Sequence, residues 1–573
     1  MRRHLPSLLL VAVAAGLALW PAPLLRAPVG HPLSDLADHY WGTWWWGGEI
    51  LAGRLPLRTT ITHLPAGQAL WYVDPVGAAI GLLVRPLGFP AVYDVVLLVQ
   101  ALAAGGALYL AAWRICAHRG AAVTAGLAGV ASPYLLGLVH SGLVEYAGLA
   151  APVLFVLLAL EALEGRRLAW LGVATALAAS TLQAFYYGAF AALLGACLLV
   201  GRRPLERVRR LVPGLALGLA LSAPILWVAG ASVFGGSGAV DPASAPGWRQ
   251  ATWPAVDLSL FLAPGSRTFP DTPALGNPGI LHVHYLGWVL VVLGVAGLAR
   301  HPRLRPHRWA FLVFGVMALG PALAWGGRPV TVGGVAVPLP LALLYRIPGS
   351  PFALVHHPYR FAAFLVPILA LGLAASVAAL RRWGAVPVGL ALLVEGLVAS
   401  PVPWPLPTAD PFPPAIHGAL PGPGGVLDWP PDATSANRAY LLWQVSHGHP
   451  IPYGVNVFLS EAIEEDPLVA DLLDTLTRPG ERVRNRDVPG DARFPPPRPD
   501  GLTRLAQMGL AWVVLHPDRL SDAEVEEAEA VLVRWLGPAT CSLEGRSAWA
   551  LPADPRPPVI PRTPPAPYAA APP

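Results

Sequence analysis

Two carboxylates three residues apart, Asp35 and Asp38, stand in the stretch HPLSDLADHYWGTWWW (residues 31–46), among two histidines, a tyrosine and four tryptophans. On a helix, positions three apart share a face. A carboxylate near an apolar boundary has a raised pKa and can take a proton. Acids beside aromatic rings at a membrane edge fit chemistry on a sugar or another polar headgroup. A plainer reading is open too. Asp35 is well placed as the N-cap of a helix beginning LADHYW, and Trp41, Trp44, Trp45 and Trp46 read as an interfacial aromatic belt.

Other residues join the list by position. His63 lies in THLPAG, where Pro65 and Gly67 predict a turn. Glu145, in HSGLVEYAG, falls at the end of an apolar run, where an ionisable group is costly and often functional. Arg360, in HHPYRF, enters a late apolar run, and a guanidinium there can grip a phosphate bidentately or reach out to the interface. His356 and His357 precede it, but adjacent side chains point apart in regular structure. His282 and His284 would share one side of a strand, and a metal needs more ligands than two. Asp257 and Asp271 read as turn residues.

The elements that must position these groups follow from composition. Of 573 residues, 54% are hydrophobic and 13% charged, against about 25% charged in a soluble protein, and the mean hydropathy is +0.52. The chain reads as a polytopic α-helical membrane protein. It has no lysine, which excludes lysine Schiff bases, P-loop lysines and Ser-Lys dyads. Cys116, Cys197 and Cys541 are too far apart for a metal motif or a disulfide framework. No dense basic tract suits nucleic acid.

Apolar runs at 5–25, 91–113, 121–139, 148–163, 168–184, 186–201, 211–229, 284–299, 309–325, 361–380 and 384–400 predict about eleven spans, several near the short end of the required length. The short connections at 2–3, 114–119, 164–167, 202–210, 300–308 and 381–382 are arginine-rich, and the longer alternate loops 26–90, 230–283 and 326–359 are not. The positive-inside rule then puts the N-terminus in the cytoplasm and everything after residue 400 outside. PVTVGGVAVPLP in the third long loop reads as a hairpin. Residues 1–400 form the membrane domain and 401–423 a proline-rich linker. Residues 424–552 form a small extracytoplasmic α/β domain, closed by a helix that Ser521 can cap. Residues 553–573 are a proline-rich tail.

The chain resembles the GT-C superfamily of polytopic membrane glycosyltransferases. The likeness rests on first-loop acids (Asp35, Asp38), a long first loop with juxtamembrane helices, and a soluble region after the last span. More narrowly it resembles a group of bacterial GT-C-like membrane proteins. The matching stretches, in order, are SDLADHYW, HLPAG (63–67), ASPYLLG with HSGLVEY (131–146), RIPGSPF with HHPYRF (346–361), and VLDWP with YLLWQVSHGHPI (426–451). The WWDYG element of oligosaccharyltransferases is missing, so the sugar and acceptor do not carry over. The resemblance implies a polyprenyl-phosphate-linked sugar donor, a glycan, lipid or protein acceptor, and a seat in the bacterial cytoplasmic membrane. It implies Asp35 as general base with Asp38 in reserve and Glu145 as a second acid. Arg360, with His63 and His357, would hold donor phosphate. A divalent metal is the one cofactor such a site could use. Two alternatives stand beside this reading. One is a transporter or flippase of a polyprenyl-linked glycan, which would need acids deep in the spans (Asp94 and Glu395). The other is a non-catalytic scaffold in envelope glycan assembly.

Overall fold

Every long apolar run in the chain is helical. A computed structural model describes residues 2–70, 74–199, 204–234, 257–267, 279–326, 328–347, 357–380, 383–431, 436–455, 459–476 and 499–552. The helices are α1 (Leu5–Ala18), α2 (Leu36–Leu51), α3 (Pro75–Leu83), α4 (Ala91–Cys116), α5 (Arg119–Ala131), α6 (Pro133–His140), α7 (Val144–Ala147), α8 (Ala150–Leu163), α9 (Ala169–Gln183), α10 (Phe185–Leu199), α11 (Pro204–Phe234), α12 (Trp288–Arg300), α13 (Arg305–Ala318), α14 (Ala362–Ala378) and α15 (Ala385–Val394). Among the described residues four stretches are long and apolar enough to cross a membrane: Ala91–Cys116, Arg119–His140, Arg209–Ala231 and Pro358–Ala378. Five more are apolar but shorter. The expected tail 553–573 and His356 lie outside the described residues.

Small residues let these helices pack backbone to backbone, as membrane helices do where burial of apolar surface no longer drives association. A Cβ added at Gly297 of α12 would lie 1.8 Å from the Gly372 carbonyl of α14, and one at Gly372 would lie 2.1 Å from the Gly294 carbonyl. Glu395 anchors the start of α12, accepting from the backbone N–H of Val289 at 3.0 Å and from Trp288 N–H and Tyr285 OH. A carboxylate at a helix N-terminus is stabilised there by unpaired N–H groups and the macrodipole. Asp94 likewise accepts from Val29 N–H at 3.1 Å. Asp94, in the first turn of α4, and Glu395, at the end of α15, thus stand at helix ends, where a transport reading would need acids deep in the spans.

The described parts of the long loops are tied by backbone hydrogen bonds. In the third, Thr331–Val332 pairs antiparallel with Val335–Ala336 across Gly333-Gly334, both at positive φ, as a two-residue hairpin demands. After α15, residues 401–409 dock along the first loop. Leu406 N–H bonds Trp20 O at 2.9 Å, Gly30 N–H bonds Pro407 O at 2.9 Å, and Ala409 N–H bonds Pro28 O at 3.1 Å.

Beyond them, α16 (Ala415–Ala419), β1 (Gly425–Trp429), α17 (Ala436–His447), β2 (Leu510–Leu515), α18 (Asp522–Leu536), β3 (Cys541–Leu543) and β4 (Arg546–Ala550) build a four-stranded mixed sheet with flanking helices. Its order is β3-β4-β2-β1, with β1 and β2 parallel. Ser521 caps α18 in a full capping box with Glu524. This region is tied to the first loop: Ile451 N–H bonds Ile61 O at 2.9 Å, His63 N–H bonds Tyr453 O at 2.8 Å, and Val455 N–H bonds Gln68 Oε1 at 2.9 Å.

Candidate active site

Asp35 stands at the N-cap position of α2, yet its side chain caps nothing. It is ion-paired with Arg438 of α17, both side chains being about five-sixths buried. The partnership is possible because α17 lies along α2, where Trp41 Nε1 donates to Gln444 Oε1 at 2.6 Å. Gln444 in turn donates to Ile61 O at 2.8 Å and His449 O at 2.9 Å. The N-cap explanation of Asp35 therefore fails, and Arg438 enters as a site residue that sequence reading missed.

One turn on, Asp38 is buried and its Oδ2 has no hydrogen-bond partner. Burial pushes its carboxyl up to about 7, against the pull of Arg438 and with a further push from Asp35. Beside it His39 Nε2 lies 3.2 Å from Glu145 Oε2, too far off line to donate a hydrogen bond to it. Burial drives His39 down to about 4, with Asp35 opposing and Arg360 and Arg438 adding to the shift. Glu145 is raised well above the usual carboxylate range, first by burial. Asp74 and Asp35 add to its shift and Arg360 opposes it. His39 is thus neutral at neutral pH, and its contact with Glu145 is not an ion pair. Arg360 reaches this group from the start of the late span and lies 4.9 Å over the Tyr186 ring. Asp74 caps α3 and accepts from Gly77 N–H at 2.8 Å and from Gln100 Nε2.

The candidates sort plainly. Asp35, Asp38, Glu145 and Arg360 come together, each close enough to at least one of the others for its charge to be felt. They are joined by His39 and Arg438. His63 sits at φ +53° in the turn against Tyr453, where Gly67 N–H bonds its carbonyl at 2.9 Å. His357 precedes the short turn of helix at Pro358–Phe361, its ring 6.1 Å from that of His282. Asp257 caps a short helix, accepting from Ser259 N–H at 2.9 Å and Gly326 N–H at 3.1 Å. The tryptophans correct an expectation. Trp41, Trp44 and Trp45 are fully buried, filling the space between α2 and its neighbours, with Trp41 and Trp45 stacked at 5.7 Å. Among the described residues, Asp35 and Asp38 do not join a third His, Cys, Asp or Glu donor in one converging set.

The raised Asp38 carboxyl has a measurable consequence. In the unfolded chain Asp38 ionises near pH 4, and in the folded protein only near 7. Between these values the folded state holds the extra proton. The stability Asp38 contributes is therefore full below about pH 4 and lost as pH rises through 7. His39 runs the other way, its share being present above about pH 6.5 and lost as pH falls toward 4. The difference between wild type and Asp38→Asn separates the two. Thermal unfolding in detergent should show wild type losing stability relative to the variant between pH 4 and 7.5, by on the order of a few kcal/mol. A flat difference would mean that Asp38 is ionised throughout.

No family model and no curated protein matches the chain. Among solved structures it aligns with the cryo-EM structure of arabinofuranosyltransferase AftD from Mycobacteria at a TM-score of 0.50 and 15% identity, over 95% of this chain and 40% of that one. A mutant form of AftD aligns at a TM-score of 0.54 and 16% identity, over 95% and 41%. The chain has a GT-C-type fold. At this identity the GT-C fold is what is shared, and the chain spans about two fifths of the length of the AftD structures. The crystal structure of the Archaeoglobus fulgidus oligosaccharyltransferase aligns at a TM-score of 0.47 and 13% identity, over 93% of this chain and 70% of that one, too weakly to add support.

Proposed function

We propose that the chain is an integral membrane glycosyltransferase moving a sugar from a polyprenyl-phosphate-linked donor to an extracytoplasmic glycan, lipid or protein. The observation that carries this reading is the meeting of Asp35, Asp38 and Glu145 with Arg360 and Arg438, which come from segments far apart in sequence. Burial raises the Glu145 carboxyl above the usual carboxylate range, which lessens the negative charge facing a phosphate beside the two guanidiniums.

In the transfer step Asp35 takes the proton of the acceptor hydroxyl. The freed oxygen attacks the anomeric carbon, whose bond to the phosphate oxygen breaks. Polyprenyl phosphate leaves with the electron pair, and Arg360 meets the charge that develops on it. His63 and His357 support this group rather than take part in the chemistry. About eleven spans, with the N-terminus in the cytoplasm and residues after 400 outside, would put the group on the outer side of the cytoplasmic membrane.

The test is turnover. Membranes containing the protein, given a panel of polyprenyl-phosphate-linked sugars and acceptor glycans, should release polyprenyl phosphate above control membranes. If no donor in the panel is consumed while the protein is folded, the enzymatic reading fails and a scaffold remains.

A further inference from the structure

Away from the acid group, the ends of the parallel strands β1 and β2 hold a second constellation. His417 (in α16), Asp428 (in β1) and His516 (just after β2) are each fully buried, and one donor atom from each lies within 4.8 Å of the others. His417 Nε2 and His516 Nε2 both stand 2.8 Å from Asp428 Oδ1. Asp428 Oδ2 is buried with no hydrogen-bond partner. The carboxyl ends of parallel strands are where α/β sheets commonly place ligands.

The hydrogen bonding is compatible with a cation. His417 Nδ1 lies 3.3 Å from Pro414 O, which can only accept, so that nitrogen carries the proton. In the neutral ring Nε2 then faces Asp428 with a lone pair. A lone pair and a carboxylate oxygen at hydrogen-bond distance repel unless a second proton on Nε2 or a metal ion lies between them. A backbone carbonyl holding the far nitrogen of an imidazole is the usual support of a metal-bound histidine.

We propose that His417, Asp428 and His516 form a binding site for a zinc-class divalent cation. Two imidazoles and one carboxylate suit zinc better than the all-oxygen cations magnesium and calcium. Zinc bonds of about 2.0–2.2 Å put tetrahedral donors roughly 3.3 Å apart, between the 2.8 Å of the two His–Asp428 distances and the 4.8 Å that bounds the whole set. His447 stacks on His417 at 4.8 Å and nearly parallel. His447 is not in the converging donor set, so the fourth position belongs to water. The ion would clamp α16 to β1 and β2, and β1 leads into α17, the helix that delivers Arg438 to Asp35.

The test uses the full-length protein in detergent, with any purification tag removed, stripped with chelator and titrated with zinc or cobalt alone. We expect one zinc per chain, a rise in Tm on adding it, and a cobalt visible spectrum typical of tetrahedral nitrogen and oxygen ligands that zinc abolishes. His417→Gln and His516→Gln should each lose the tight site. Absence of zinc uptake, of a Tm rise and of a cobalt spectrum in folded wild type overturns the proposal. So does wild-type zinc binding in both variants. The cobalt spectrum of wild type decides the question even if a variant fails to fold.

Discussion

Asp35→Asn should lower the rate of sugar transfer about 10²–10⁴-fold, the range a positioned general base supplies, in a protein that still folds. The amide keeps the shape of the carboxylate and one acceptor oxygen for Arg438, but it cannot take a proton. The side chain does not cap α2, so the helix start is not weakened. Loss of one partly buried ion pair is a modest stability change, since Asn still accepts a hydrogen bond. The check is initial release of polyprenyl phosphate beside a thermal unfolding curve. Asp38→Asn is the needed comparison, because the Asp38 carboxyl titrates near 7 and a general base works best near the operating pH. If Asp35→Asn turns over like wild type and Asp38→Asn does not, the base is Asp38.

Gly372→Ala should be among the most damaging single methyl additions in the membrane helices. The new Cβ would meet the Gly294 carbonyl at 2.1 Å, and both partners are backbone, so α12 and α14 would have to part. Overpacking of this kind costs about 1–3 kcal/mol and occasionally more, and a rigid helix pair belongs at the upper end. Gly315→Ala on α13 is the control, since nothing lies within 4 Å of its added Cβ. A lowered Tm and aggregation in detergent are expected for the first and not for the second. Equal behaviour would mean that α12 and α14 do not touch through these glycines.

What the sequence made visible follows from the kind of signal each feature carries. Apolar runs long enough to span a bilayer are local, so a helix stands on each of them. The Gly-Gly hairpin and the Ser521 capping box are local as well. Partnerships between distant segments left no trace. Trp41 and Gln444 are 403 residues apart, and nothing near Asp35 hints that Arg438 would reach it. The tryptophans misled for a physical reason. A membrane-edge belt and a buried aromatic core have the same composition, and only the packing of α2 against α17 separates them. His417, Asp428 and His516 escaped notice because their donors come from three elements with no metal-motif spacing. Their shared hint was weak: Asp428 and His516 each sit at a strand end close to a proline.

The central claim is that one group of residues binds the donor phosphate and activates the acceptor. A cryo-EM structure with a non-hydrolysable polyprenyl-phosphonate sugar tests it most directly. The account requires the phosphonate against Arg360, with the anomeric carbon facing Asp35. A headgroup bound at a different place, with the Asp35–Arg438 pair and the Arg360–Tyr186 stack undisturbed, would contradict it.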